Sequence, residues 1–221
     1  MEEIEIKKKT NKLWKIIANV LFVMLLVVCV SVFAFRYVYI ETPVIGASMY
    51  PTLNNTEHND TVFINTKKKG TVGDIVVVDS YKAGVSLEQN YIIKRVIAIG
   101  LQRVDLRFDG DELVIYIDGE RLVEQYETNP ARKVSNAYPY IYNAFQSYLS
   151  QHSDSIDVNA DGLLVPEGCI FVLGDNRQNS TDSASFGPIS TESVLGRVDI
   201  IVNPGEFKLG KIIISLLDVI F

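Results

Sequence analysis

Near its N-terminus the chain has one long run of uncharged, mostly apolar residues. Twenty residues, Ile16 to Phe35, carry no charge. At about 1.5 Å of rise per residue, a helix of that length crosses the roughly 30 Å of a bilayer's hydrocarbon core. Lysines precede the run at positions 7, 8, 9, 12 and 15. The positive-inside rule then predicts a cytoplasmic basic tail at residues 1–15, a single plasma-membrane span at residues 16–35 and an extracytoplasmic domain at residues 36–221.

A cleaved secretory signal is the alternative interpretation of this segment. Val32, Phe33 and Ala34 loosely fit a cleavage site, but the apolar run is longer than the roughly 7–15 residues of a signal peptide's core. The length therefore favours a retained anchor that contacts membrane lipid.

Beyond Val62 the apolar residues come in short runs separated by Gly, Asn and Asp. These runs are rich in β-branched residues, often alternate with polar ones and are too short for helices, which is typical of strands. Asp118–Gly119 has the composition of a hairpin turn. The pattern predicts a mainly β outer domain with an antiparallel, barrel-like sheet.

Residues 120–165 interrupt this rhythm with a polar, Tyr-rich stretch. Within it, YIYNAFQSYL at residues 140–149 predicts a short helix, so we expect an inserted subdomain at about residues 105–165. The chain then ends in an apolar tail, residues 207–221. This tail is too short to span a membrane and predicts either a membrane-lying segment or a strand.

The charge balance argues against one class of partner. The chain holds 21 basic and 27 acidic residues, and residues 36–221 hold 16 basic and 24 acidic ones, a net charge of −8. Binding to a phosphate backbone needs the opposite sign, so no nucleic-acid partner is expected. The oligomeric state is left open by the sequence.

A serine lies in a predicted turn just past the membrane span. Ser48 follows Gly46 and an alanine, whose small size lets a substrate backbone come close, and Pro51 stiffens the chain behind it. A serine needs a base before it becomes a useful nucleophile. The chain's histidines, His58 and His152, lie in polar, turn-rich surroundings, which disfavours a Ser-His-Asp triad.

Lysine can replace histidine if burial makes it lose its proton. Lys94 stands among β-branched residues in the segment 92–97, so a strand can bury it, and alternation turns Arg95 to the other face. Burial lowers a lysine pKa, and a change from about 10.4 to about 7 costs roughly 4–5 kcal/mol. The alternatives are a surface lysine on an edge strand and, for Ser48, an ordinary turn serine.

A third patch, residues 174–183, is dense in turn-forming residues. Side chains of Asn, Asp and Ser bond back to nearby backbone and hold a loop in shape. Such a loop can steady a lysine through a serine hydroxyl. It can equally be only an elaborate turn.

Together these patches resemble the type I signal peptidases of bacteria, in particular Gram-positive ones, which are membrane-bound Ser/Lys endopeptidases. SMYPT at 48–52 is similar to the family's nucleophile motif and GDIVVV at 73–78 to its following strand. IKRV at 93–96 is similar to its lysine motif and GDNRQNSTDS at 174–183 to its C-terminal loop. The resemblance implies cleavage of signal peptides from secretory preproteins after small residues at −1 and −3.

The resemblance also implies roles for single residues. Ser48 corresponds to the nucleophile, whose N–H is also an oxyanion donor, and Lys94 to the general base. Ser180 corresponds to a loop serine that hydrogen-bonds the lysine, and Asp182 to the loop's structural carboxylate. Gly46 stands where some members have a serine as second oxyanion donor. No cofactor or metal is implied. The apolar substrate pockets correspond to Val44, Ile45, Met49, Leu53 and Ile93.

Two departures from the family pattern keep a non-catalytic alternative open. Residues 98–102 read AIGLQ where the family usually has Gly-Leu-Pro-Gly-Asp, and Ala184 stands where an arginine usually pairs with the loop aspartate. The rival is a catalytically weak or inactive module that binds peptides or assists surface-protein assembly. A self-cleaving Ser/Lys repressor-type peptidase shares the dyad logic, but its expected DNA-binding domain is absent and a membrane span fits it badly.

One metal motif is better explained as a turn. Residues 157–162 match the start of an EF-hand calcium loop, but position 12 of that loop is Gly168 and not the bidentate glutamate.

Overall fold

The structure is a computed structural model of the chain. It describes residues 2–54, 58–85, 89–110, 112–123, 139–206 and 209–210, of which residues 2–11, 112 and 139 are described by their backbone only. The chain divides into two compact units, Met1–Tyr39 and Ile40–Phe221. Most of the apolar C-terminal tail lies outside the described residues, so both predictions for it stay predictions.

The first unit is built on one helix, α1 (Glu2–Val38), which is longer than the predicted span of residues 16–35. No glycine or proline occurs before Pro43, so nothing in the sequence breaks the helix on either side of the apolar run. The segment Lys12–Val38 is long and apolar enough to cross a membrane, and its most apolar window has a mean hydropathy of 3.0. This helix is compatible with the predicted anchor.

The second unit is built around a seven-stranded sheet. Its strands are β1 (Tyr39–Pro43), β2 (Thr61–Asn65), β3 (Ile75–Asp79), β4 (Tyr91–Ile99), β10 (Cys169–Leu173), β11 (Ile189–Ser190) and β12 (Val194–Val202). From edge to edge they lie in the order β1, β2, β12, β3, β4, β10, β11. The last strand therefore pairs antiparallel with both β2 and β3 and joins segments that are far apart in the sequence.

A second, five-stranded sheet lies within the same unit. Its strands are β5 (Arg103–Asp109), β6 (Glu112–Ile117), β7 (Glu120–Arg121), β8 (Val158–Asn159) and β9 (Gly162–Leu164). Asp118 and Gly119 join β6 to β7 with φ of 53° and 81°, the left-handed conformations that a two-residue hairpin turn requires. The predicted hairpin and the mainly β, antiparallel fold class are confirmed.

The helix predicted in the Tyr-rich stretch is also confirmed, as α2 (Pro139–His152). Ile141 and Phe145, one turn apart, are buried, and the Phe145 ring meets Phe171 of β10 edge-on with centroids 5.9 Å apart. Helix α2 also packs on the short helix α3 (Ser183–Phe186). That residues 105–165 are an insertion stays a prediction.

The strands that carry the site are buried on both faces. Along β3 alternate residues face two different apolar clusters. In β4, Ile92 and Val96 join Val76 and Val78 in one of these clusters. Strand alternation therefore places residue 94, which lies between Ile92 and Val96, on that same buried face.

Candidate active site

Ser48 lies in a tight turn between β1 and β2. The Tyr50 N–H donates to the Ala47 carbonyl at 3.1 Å, and the Leu53 N–H donates to the Met49 carbonyl at 3.0 Å. Met49 and Leu53 are fully buried and anchor the turn to the core. Ser48 itself remains partly exposed and lines a cavity.

The Lys94 side chain reaches this serine from β4. Its Nζ donates to Ser48 Oγ at 2.9 Å and to the Ile93 carbonyl at 3.1 Å. Lys94 is only 3% exposed. The structure therefore brings together the two residues that the sequence pairs as nucleophile and base, and it keeps the amine almost out of reach of solvent.

Burial changes the protonation of this amine. Because the charged form loses its hydration, the pKa of Lys94 falls from 10.5 to about 8, and the negative charge of Asp182 opposes this fall. The direction agrees with the expectation from the sequence, whereas the value lies above the expected one of about 7. At pH 8 about half of the amines are neutral and able to accept a proton.

The neighbouring cation, Arg95, points to the other face of β4. Its Nε and Nη2 donate to the two carboxylate oxygens of Asp175 at 2.8 and 2.6 Å, and its Nη1 donates to the Gly73 carbonyl at 2.7 Å. This pairing keeps a second positive charge away from the Lys94 amine. It also ties the loop at residues 174–183 to β4.

Asp182 shapes this loop from within. Its carboxylate accepts from the Gly174 N–H at 2.9 Å and from the Ala184 N–H at 3.2 Å, and the second contact caps α3. Burial raises the pKa of Asp182, while these hydrogen bonds and the positive charge of Lys94 act in the opposite direction. Both hydrogen bonds hold backbone, so the carboxylate fixes the course of the loop.

Ser180 lines the same cavity as Lys94. Its hydroxyl is buried and close enough to Asp182 to lower the pKa of that carboxyl, yet it has no hydrogen-bond partner of good geometry among the described residues. The hydrogen bond from this serine to the lysine, which the resemblance implies, is therefore not formed here. Lys94 Nζ instead donates to the Ile93 carbonyl and to Ser48 Oγ.

Ala184, the departure from the family pattern, is buried at 1% exposure. It belongs to the apolar cluster that includes Ile141 and Phe145 of α2. The position where the family resemblance implies an arginine is therefore covered by a helix. Packing of α2, together with the Arg95–Asp175 pair, holds the loop that lacks this arginine.

A cavity of about 330 Å³ opens beside the two residues. Ile45 and Ile92 contribute apolar surface, and Gln89, Asn179 and Thr181 contribute polar surface. Ile92 was missed by the sequence analysis, although strand alternation places it on the lysine's side of β4. Asn179 and Thr181 flank Ser180 in the loop, and that adjacency is the signal that could have found them.

The predicted pocket residues lie at different depths. Ile45 lines the cavity and is largely exposed. Val44, Met49 and Leu53 are buried in the apolar cluster beneath the turn, and Ile93 packs against that cluster. The substrate-binding role of these five residues stays a prediction.

The described residues offer no cluster of three or more His, Cys, Asp or Glu side chains that could hold a metal ion. In the EF-hand-like segment, Asp157 pairs with Arg103 at 2.9 Å. The two histidines, His58 and His152, are exposed and do not line the cavity.

Comparisons with known proteins point to one family. The family model described as "Signal peptidase, peptidase S26" matches residues 13–203. Signal peptidase IB of Staphylococcus aureus is 30% identical over 204 residues, covering 91% of this chain and 94% of that protein. Signal peptidase I of Bacillus caldolyticus is 30% identical over 172 residues, covering 78% of this chain and 84% of that protein. A crystal structure of a signal peptidase I from Enterococcus faecalis V583 matches with a TM-score of 0.40 and 29% identity, covering 59% of this chain and 97% of that one.

Proposed function

Since this chain belongs to the signal peptidase family, peptidase S26, we propose that it cleaves signal peptides with Ser48 as nucleophile and Lys94 as general base. The observation that carries this proposal is the 2.9 Å contact between Lys94 Nζ and Ser48 Oγ, made by an amine that is buried. The substrates are exported preproteins, cut after small residues at −1 and −3.

The proposed reaction runs through an acyl-enzyme. Neutral Lys94 takes the proton of the Ser48 hydroxyl as Oγ attacks the scissile carbonyl carbon. The resulting ammonium gives this proton to the leaving amine, so the peptide bond breaks and an ester forms on Ser48. Lys94 then takes a proton from water, the hydroxide attacks the ester, and the proton returns to Ser48 as the acid product leaves. Protons and electron pairs balance without a cofactor.

The proposed oxyanion donor is the backbone N–H of Ser48. This N–H donates to no residue in the part of the chain that the structure describes. It is therefore available to the negative charge that develops on the substrate carbonyl oxygen.

Signal-peptide recognition is proposed for the cavity and the turn beside it. Ile45 is exposed at the cavity, and a substrate in extended conformation can lie along this segment and β4, in the manner of strand addition. The five predicted pocket residues would then accept small side chains.

We further propose a single plasma-membrane span with the N-terminus in the cytoplasm, supported by the lysines before the apolar part of α1. Protease protection of an N-terminal tag in intact spheroplasts tests this orientation.

The direct test of the proposed chemistry compares variants of the full chain in detergent micelles on a peptide that contains an Ala-x-Ala site. Ser48→Ala and Lys94→Ala should each lower kcat/KM by about 10³-fold or more, since each variant lacks either the nucleophile or the general base of the proposed dyad. The matched control is Lys82→Ala, an exposed lysine in the turn after β3, which should keep the wild-type rate. A wild type as inert as both variants would instead favour a non-catalytic peptide-binding module.

A further inference from the structure

Resting on this proposed function, we infer that Asn176 is a positioning residue that directs the Ser48 N–H into the cavity as oxyanion donor. The sequence alone predicted no role for this asparagine. Its side chain and backbone both reach the turn that carries the nucleophile.

Three consecutive carbonyl groups of the nucleophile turn accept hydrogen bonds from two asparagines. The Gly46 carbonyl accepts from Asn54 Nδ2 at 2.9 Å, and the Ala47 carbonyl accepts from Asn176 Nδ2 at 2.9 Å. The Ser48 carbonyl accepts from the Asn176 N–H at 2.9 Å. Each peptide group of the turn is therefore held on its carbonyl side.

The Ala47 carbonyl decides where the Ser48 N–H points, since the two belong to one peptide group. A trans peptide is planar and its C=O and N–H point in opposite directions. The Ala47 carbonyl is held from outside the turn by Asn176 and from within it by the Tyr50 N–H at 3.1 Å. The Ser48 N–H is thereby turned away from these donors. To rotate it out of place, the chain must break both hydrogen bonds.

Asn176 is itself well held. The preceding residue, Asp175, is fixed by its ion pair with Arg95. Gly174 brings the loop so close to the turn that an added Cβ would lie 2.5 Å from the Ser48 carbonyl oxygen. The loop therefore presents Asn176 from a rigid base, which is what a positioning residue requires.

The expected effect is confined to the transition state, because an oxyanion donor acts on charge that the ground state lacks. Loss of a whole donor costs about 10²–10³-fold in kcat in other serine peptidases. Asn176→Ala removes one of the two bonds that orient the donor, so we expect a kcat about tenfold or more below wild type, with KM changed by less than about twofold.

The experiment measures kcat, KM and the pH–rate profile of the full chain in detergent, together with the affinity for a peptide aldehyde. The aldehyde's adduct with Ser48 carries the oxyanion, so its affinity should fall in parallel with kcat/KM. The acid limb of the profile should stay in place in Asn176→Ala, because Lys94 is not touched. The matched control is Asn203→Ala, an exposed asparagine after β12, which should behave as wild type.

The outcomes separate the two proposals. Wild type without peptidase activity refutes the proposed function itself. An active wild type with Asn176→Ala unchanged, or with the aldehyde affinity unaffected, or with kcat and KM both altered, overturns the inference alone. Should the alanine variant fail to fold, Asn176→Asp keeps the shape and replaces the donor by an acceptor that repels the Ala47 carbonyl, so its kcat should fall about tenfold or more below wild type; a folded Asn176→Asp with the wild-type kcat overturns the inference.

Discussion

Arg95 and Asp175 form a two-point ion pair in which the side chains are 11% and 0% exposed. The residue before Arg95 is Lys94, on the opposite face of β4, and burial lowers its pKa. Two adjacent cations in one strand thus meet opposite environments. A paired carboxylate compensates the guanidinium charge, while loss of hydration drives the amine towards its neutral form.

Asp175→Ala should lower the free energy of unfolding by about 3–5 kcal/mol, because it removes the buried carboxylate that compensates the charge of a largely buried guanidinium. Chemical denaturation measures this loss, and kcat/KM should fall with it as the loop at residues 174–183 loosens. The matched control is Asp157→Ala, which breaks an ion pair whose carboxylate side chain is 58% exposed and which should cost about 0–1 kcal/mol. Equal losses in the two variants would contradict the role of burial.

The rate of peptide cleavage should follow the neutral fraction of Lys94. With its pKa at about 8, kcat/KM should rise about tenfold per pH unit below pH 8 and level off above it. Because the Asp182 charge raises this pKa, Asp182→Asn should move the acid limb to lower pH. An acid limb at the same pH in both proteins would show that another group controls it.

The same burial has a cost in stability, with a definite pH dependence. Below pH 8 the Lys94 amine is protonated in both states, and lowering its pKa from 10.5 to about 8 costs about 3 kcal/mol. Between pH 8 and 10.5 the unfolded chain binds a proton that the native chain does not, so the stability of wild type rises with pH.

Lys94→Met should therefore gain stability relative to wild type at pH 7, and this difference should shrink by about 3 kcal/mol as pH rises through 8 to 10.5. Thermal or chemical unfolding across this range measures it. Lys82→Met, at an exposed position, is the control and should show a constant difference. If the stability difference between Lys94→Met and wild type did not change with pH, the pKa of the Lys94 amine would not be lowered in the native protein.

Local pattern was enough to predict the strands, the hairpin at Asp118–Gly119 and the buried lysine. Each depends on residues that are close in sequence, such as the β-branched neighbours of Lys94. The predicted helix at residues 140–149 depended equally on a local pattern. These features need no knowledge of what packs against them.

The features that could not be predicted from the sequence depend on contacts between residues far apart in the chain. The ion pair between Arg95 and Asp175 joins residues 80 positions apart, and β12 enters the sheet between β2 and β3. This arrangement builds the cluster that buries Met49 and Leu53 beneath the turn, a depth that the local pattern did not show, while their substrate-binding role stays a prediction. No pattern along the chain shows which side of a turn the core will cover.

Gly174→Ala tests how closely the loop approaches the nucleophile turn. A Cβ at this position would lie 2.2 Å from Ser180 Oγ and 2.5 Å from the Ser48 carbonyl oxygen, and the latter is backbone that cannot rotate away. We expect kcat/KM to fall by about 10²-fold, since small displacements of reacting groups have costs of this size. The control is Gly110→Ala, with φ of +64° and open space around it, which should cost about 1 kcal/mol of stability and leave the rate unchanged. An unchanged rate in Gly174→Ala would mean that the loop can shift without moving Ser48.

Ala184→Arg introduces the side chain that the family resemblance implies at this position, and here it should destabilise. Ala184 is buried against Ile141 and Phe145 of α2, so an arginine would either place a charge in this cluster or displace the helix. A charge left buried and unpaired costs about 3–5 kcal/mol, measured as a fall in the free energy of unfolding. The neighbouring, half-buried Ser185 supplies the control, Ser185→Arg, for which a smaller loss is expected. If Ala184→Arg instead gained stability with full activity, the arginine would be reaching Asp182, and α2 would not be what replaces it.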